Sequence, residues 1–337
     1  MRKLMLPAIG LILLLLIGRS VLYARNLRPL HPEDETRTVI VIPPGASTRQ
    51  IGELLEEKEV IRSAKAFRRF AVKQGIDEQL QAGSFVLMPS MSIEEVCAAL
   101  TAGIAQEAVV TIPEGLTVSE IDALLAEKEL IAPGDLIACA QTCDFSSFDF
   151  LPESSEVAQR GGRVEGYLYP DTYFVVTTDF SVKAFLDRLL STFQARVTDG
   201  VMKEEQTDRS LREIVTMASL IEKETRTNEE RPVVSGILWK RYDEGMGLGV
   251  DAAVRYIVEK PRAALTQEDL DIDSPYNLRR YRGLTPGPIA NPGIRSIEAA
   301  LHPQESDYYY YLHGTDGVIR YAATNDEHNA NKARYLR

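Results

Sequence analysis

The chain opens on an apolar run, Leu4 to Gly18, which Arg19 interrupts before Ser20, Val21, Leu22 and Tyr23 extend it. A helix that spans a bilayer needs about 20 apolar residues, so this run crosses only with Arg19 snorkelling toward the headgroups. A retained single-pass anchor within residues 1–28 is the expectation. A cleaved signal is the alternative, although no clear small-x-small site follows. Either reading carries the bulk of the chain out of the cytoplasm. Arg2 and Lys3 ahead of the run favour a cytoplasmic N-terminus, while Arg19, Arg25 and Arg28 beyond it weaken that bias.

After a polar connector, Thr38-Val-Ile-Val-Ile42 predicts a strand that ends at the turn signal Pro43-Pro44-Gly45. Ile51, Leu54 and Leu55 then recur at helical spacing behind Ser47, a candidate N-cap. The same pattern returns at positions 70 higher: Pro43/Pro113, Gly45/Gly115, Ile51/Ile121, Leu54/Leu124, Leu55/Leu125 and Lys58/Lys128 match without a gap. This is an internal strand-turn-helix repeat. Between the copies, Gly83 to Leu87 predicts a short strand, and Ser92 with Glu95 predicts the start of a capped helix. The order strand, helix, helix, strand, helix over residues 38–105 resembles a LysM-like module, a fold associated with glycan binding. Spacing the rest of the chain from the membrane is the alternative use.

A second, larger region over 106–337 completes an α+β chain and is richer in tyrosine, glycine and proline. Glu165-Gly-Tyr-Leu-Tyr-Pro-Asp-Thr-Tyr-Phe174 gathers three tyrosines around a Pro170-Asp171 turn. Such rings either form a wall on which a sugar stacks or pack into the core.

Charge and cysteine content narrow the partners. A net charge of -11 repels phosphate backbones, so no nucleic-acid partner is expected. Cys97, Cys139 and Cys143 form no CxxC, and His31, His302, His313 and His328 are scattered, so no metal site and no cofactor is expected. Cys139 and Cys143 are close enough in sequence to bridge in an oxidising compartment.

The candidate chemistry lies at the end of one apolar helix. Ser210 with Glu213 forms a capping box, and Leu211, Ile214, Val215, Met217, Ala218, Leu220 and Ile221 cover more than half of the helix circumference. Glu222-Lys223-Glu224 then places two carboxylates where a helix end favours cations. At about 100° per residue the two glutamates point to opposite sides and cannot form a carboxylate pair. Glycosidases that retain or invert configuration ordinarily need two carboxyls, about 5 Å or about 6.5–9.5 Å apart. This helix supplies one. Glu222 is expected to pair with Arg226 at i,i+4. Glu224 lies at the edge of the apolar face, where desolvation would raise its pKa toward that of a general acid.

Met217-Ala-Ser-Leu-Ile-Glu-Lys-Glu-Thr225, Leu248-Gly-Val-Asp251, Ser274-Pro-Tyr-Asn277, Gly283-Leu-Thr-Pro-Gly-Pro-Ile289, Asn291-Pro-Gly293 and Glu327-His-Asn329 follow in an order that resembles the YceG-like family, the endolytic murein transglycosylases known as MltG. The resemblance covers nearly the whole chain. It implies cleavage of the β-1,4 bond between N-acetylmuramic acid and N-acetylglucosamine inside a peptidoglycan glycan strand, with formation of a 1,6-anhydro end. It also implies Glu224 as acid and then base, a location at the cytoplasmic membrane with the catalytic domain outside it, and cell-wall synthases or division proteins as partners. Glu224-Thr225 is similar to the Glu-Ser signature of lysozyme-like lytic transglycosylases, which makes Thr225 a candidate substrate contact.

Tyr276 and Asn277 are candidates for binding N-acetyl groups, with loop capping by Asn277 as the alternative. Asp251 either orients a neighbour or binds backbone amides. His328 and Asn329 read as structural. The chain departs from the family pattern at Leu278-Arg279, where Thr-Tyr is usual, and at Ile319, where histidine is usual. A hydrolase using the same acid with water, and a catalytically silent glycan-binding or scaffold protein, are the competing readings.

Overall fold

The computed structural model describes residues 18–101, 107–153, 161–177, 180–259 and 264–336. The apolar run expected to form the anchor lies largely outside the described residues. Helix α1 covers 18–26, and among the described residues no helix is long and apolar enough to cross a membrane. The chain divides into two compact units, Met1–Val109 with Phe174–Asp179 and Val110–Tyr173 with Phe180–Arg337.

In the first unit, β1 (Thr38–Ile42) pairs antiparallel with β2 (Gly83–Leu87), Thr38 opposite Leu87 and Ile42 opposite Gly83. The alternation of a strand sends Ile40 and Ile42 inward and leaves Val41 61% exposed. Helices α2 (Thr48–Glu57), α3 (Ala64–Gln74) and α4 (Ile93–Thr101) close over that face. Ile51, Leu55, Phe67, Phe85, Val96 and Leu100 fill the core between them. Ser47 caps α2 in a box with Gln50, and Ser92 makes the expected reciprocal bonds with Glu95.

The second unit begins where β3 (Glu107–Thr111), paired with β4 (Thr172–Val176), leads into α5 (Val118–Glu127) and α6 (Asp135–Thr142). A disulfide joins Cys139 to Cys143 across the end of α6, and Cys97 remains a buried thiol pushed up to about 12 by desolvation. Helix α7 (Val182–Phe193) continues into a wider turn, Gln194–Val201. The central helix α8 (Leu211–Glu224) packs on α9 (Glu230–Asp243) and on the later α12 (Ile294–Leu301). Between them come α10 (Asp251–Val258) and the short α11 (Gln267–Leu270), and the chain closes with the hairpin β5 (Tyr310–His313) and β6 (Ile319–Ala322) and with α13 (Asn325–Tyr335).

The repeat is realised in backbone as well as in sequence. Gly45 and Gly115 hold φ of 77° and 79°, and Glu59 and Glu129 end the two helices at 54° and 57°. Thr117 and Glu120 repeat the capping box of Ser47 and Gln50. The tyrosine segment, in contrast, forms core. Tyr167, Tyr169 and Tyr173 are all buried, with Tyr167 against Phe150 and Phe193 and Tyr173 against Phe185. No sugar wall is built there, because all three tyrosines are buried.

Candidate active site

Helix α8 starts with the expected box, Glu213 N–H donating to Ser210 Oγ and Ser210 N–H to Glu213 Oε2. Every residue from Ile214 to Ile221 is buried, so the helix is fixed by packing around its whole girth. Ser219 is the one polar tie in that stretch that reaches the motif loop, accepting from Ile289 N–H at 3.0 Å. The end of the helix is thus held rigidly before the two glutamates emerge.

Glu222 turns into the protein. Its carboxylate accepts from Arg231 Nη2 at 3.2 Å, Gly293 N–H at 3.1 Å and Ser296 Oγ at 2.7 Å. The expected pair with Arg226 is therefore replaced by one with Arg231, whose side chain is 10% exposed against 8% for Glu222. A buried carboxylate takes the partner that brings a charge and shares a set of hydrogen bonds, not the nearest one along an exposed helix face. Glu222 joins α8, α9 and α12.

Glu224 points the other way, to the floor of a cleft of about 670 Å³ that Lys223, Glu165, Asp251, Arg255 and Tyr256 also line. Glu224 is half-buried there. Tyr311, brought in by β5, donates its hydroxyl to Glu224 Oε2 at 3.0 Å, and the backbone N–H of Ala252 at the start of α10 donates as well. Desolvation raises the carboxyl pKa to about 6; the Asp251 charge adds to this, while Tyr311, Ala252 and Arg255 oppose it. Burial holds Tyr311 itself well above the ordinary phenol range, so it stays a donor. A second bond fixes the strand that carries Tyr311: His313 Nε2 lies 3.2 Å from Glu230 Oε2, which also accepts the backbone N–H of Arg226.

The other expected contacts fall mostly behind the cleft. Asn277 is fully buried, and its amide donates to the carbonyls of Leu270 and Ile272 and accepts from Arg279 N–H. Loop capping uses all of those groups, so the N-acetyl contact expected of Asn277 is not made from this position. Tyr276 is buried beneath the wall, its ring 5.4 Å from that of Tyr256, and it supports that residue instead of facing a ligand. Thr225 donates its hydroxyl to the Ile221 carbonyl at 2.7 Å and so completes the end of α8. Asp251 does line the cleft, where Arg279 Nε meets its Oδ1 at 2.5 Å. The residue that departs from the family pattern thus pairs with a carboxylate beside Glu224. His328 stacks on Tyr310, and Glu327 caps α13.

Two residues of the site went unassigned from sequence. Tyr311 ends the run Tyr308 to Tyr311, whose only sequence signal is the aromatic repetition itself. Glu165, a lone carboxylate at the head of the tyrosine segment, is buried and accepts from Val118 N–H at 3.1 Å and Tyr256 Oη at 3.2 Å. Burial pushes it up to about 8, so at neutral pH it is largely uncharged. Asn291 joins this group to the chain behind it, its Oδ1 accepting from Gly166 and Leu168 N–H and its Nδ2 donating to the Leu116 carbonyl. Among the described residues no three histidine, cysteine or carboxylate side chains converge as metal ligands.

Residues 40–334 match the sequence model of the YceG-like family. The chain belongs to that family. It is 32% identical over 330 residues to a Bacillus subtilis protein named endolytic murein transglycosylase, covering 96% of this chain and 91% of that one. A Streptococcus pneumoniae protein of the same name is 28% identical over 335 residues, and the match takes in 92% of this chain and 60% of that longer one. A crystal structure of a YceG-like protein from Listeria monocytogenes superposes with a TM-score of 0.60 at 30% identity, covering 88% of this chain and 99% of the other. Mixed α+β architecture is common to both structures.

Proposed function

We propose that this chain is an endolytic murein transglycosylase that cuts peptidoglycan glycan strands internally, with Glu224 as its single acid and base. The observation that carries this reading is the setting of Glu224: a carboxyl raised to about 6, open to a cleft, with Tyr311 and the Ala252 N–H placed to hold its charged form. The protonated acid delivers its proton to the glycosidic oxygen as the bond from C1 of the muramoyl sugar breaks toward that oxygen. The resulting carboxylate then takes the proton of the same sugar's 6-hydroxyl as O6 bonds to C1, which closes the anhydro ring and restores the acid. An acceptor within the substrate replaces both water and a second catalytic carboxylate. Among the other acids that line the cleft, Asp251 is engaged by Arg279, Glu120 caps α5, and Glu165, uncharged at neutral pH, offers no second carboxylate to act as nucleophile or base.

We read residues 38–105 as a LysM-like module, 106–337 as the catalytic domain, and the N-terminal apolar run as an anchor that leaves both outside the cytoplasmic membrane. The Cys139–Cys143 disulfide accords with an oxidising compartment. Cell-wall synthases or division proteins are the partners this placement suggests. The test is end-group analysis by mass spectrometry of glycan strands digested with the wild type and with Glu224→Gln. Anhydro-muramoyl ends from the wild type alone are expected. Reducing ends instead would mean a hydrolase, and no new ends at all a silent scaffold.

A further inference from the structure

The two copies of the repeat share a backbone and differ in what lies across the turn. In the second copy the turn is covered by the chain itself. Gly115 N–H donates to the Asn291 carbonyl at 2.7 Å, Asn291 N–H donates to the Leu116 carbonyl at 2.9 Å, and Gly115 is buried. Ala290 and Pro292, on either side of Asn291, are buried too. In the first copy the matching Gly45 is exposed, with nothing within 4 Å of the place a Cβ would take. Among the described residues neither the Gly45 N–H nor the Ala46 carbonyl has a hydrogen-bond partner. A groove of about 300 Å³ lies over this turn, bounded by Pro43 and Pro44 and floored by Ile42, Ile51 and Leu54.

We propose that this groove docks an extended polypeptide segment of a partner protein, held as Asn291 is held in the second copy. One residue of the segment accepts from Gly45 N–H and donates to the Ala46 carbonyl, and its apolar neighbours cover Pro43, Pro44 and Leu54. The pair of contacts selects the class of ligand. An extended peptide residue presents its own N–H and C=O along one edge, as strands do in a ladder. The acetamido group of a sugar is a single trans amide whose N–H and C=O point in opposite directions, so one such group does not satisfy both. Among the described residues no charged side chain lines the groove, so recognition rests on backbone and on apolar contact.

The occupant of the second copy provides the probe. A fluorescent peptide of residues 288–294, Pro288 through Ile294, is titrated into the full-length protein and followed by anisotropy. Binding at millimolar concentration or tighter is expected. Methylation of the peptide nitrogen of its asparagine should weaken it by about tenfold, since the donor to Ala46 is lost without any change to the protein. Leu54→Lys, checked for unchanged thermal unfolding and unchanged cleavage activity, should weaken it comparably. Absence of binding at millimolar peptide, indifference to N-methylation or to Leu54→Lys, or displacement of the peptide by N-acetylglucosamine oligomers would each overturn the proposal.

Discussion

Replacing Tyr311 with phenylalanine tests the electrostatic account of Glu224 directly. The ring and its packing stay, and only the hydroxyl that donates to Glu224 Oε2 at 3.0 Å is lost. A hydrogen bond to a charged group is worth roughly 1.5–3 kcal/mol. Because this hydrogen bond is only part-buried, the lower figure applies, and at about 1.4 kcal/mol per pH unit it corresponds to about one unit. The sign follows from the donor: Tyr311 favours the carboxylate, so its removal raises the pKa from about 6 toward about 7. The assay is the initial rate of anhydro-end formation as a function of pH. The limb on which activity falls as the acid deprotonates should move to higher pH by about one unit in Tyr311→Phe, with a lower maximum because the carboxylate formed in the first step has lost a donor. An unmoved limb, or one displaced to lower pH, would show that Tyr311 does not stabilise the charged acid and that the assigned proton transfers are wrong.

Other outcomes follow from the surrounding groups. Glu224→Gln should abolish anhydro ends and leave the thermal unfolding profile unchanged, as circular dichroism can establish. Glu165 has a folded-state pKa near 8 against an ordinary 4.5, so the unfolded chain releases this proton first; stability is full below about 4.5 and declines as pH rises toward 8. Glu165→Gln should flatten that decline in calorimetric scans between pH 5 and 8, and equal slopes for the two proteins would refute the buried-acid assignment. Arg231→Met leaves the Glu222 carboxylate buried without its counter-charge and should cost roughly 3–5 kcal/mol in urea unfolding. A loss below about 1 kcal/mol would mean that Gly293 and Ser296 suffice to hold it.

Periodic signals were the legible part of the chain. The β1 strand, the N-cap at Ser47, the capping boxes at Ser92 and Ser210 and the repeat at Pro113 to Lys128 all depend on contacts within a few residues, which sequence order specifies. The opposed directions of Glu222 and Glu224 were legible for the same reason, since helical phase is a local property. The partners of those glutamates were not. Glu222 meets Arg231, Gly293 and Ser296, and Glu224 meets Tyr311, contacts made by tertiary packing over separations that no local pattern encodes. Asn277, Tyr276 and Thr225 were read as ligand contacts from their place in motifs, yet each sits where the backbone or a neighbouring ring uses its polar or aromatic surface first. A motif marks where a site is built without separating the residues that face it from those that hold it up. Glu165 was obscured by the tyrosines that follow it, and only their burial reveals that its carboxyl was the unusual group in the segment.

The two glutamates at the end of α8 also constrain how this protein can change over evolutionary time. On the proposed mechanism one is moored in the interior and the other is the reagent, and a single lysine separates them. Gain or loss of one residue there would swing everything beyond it by about 100°, taking the reagent out of the cleft while the mooring stayed in place. Point substitutions around this tripeptide can be sampled one at a time, whereas its length cannot drift at all.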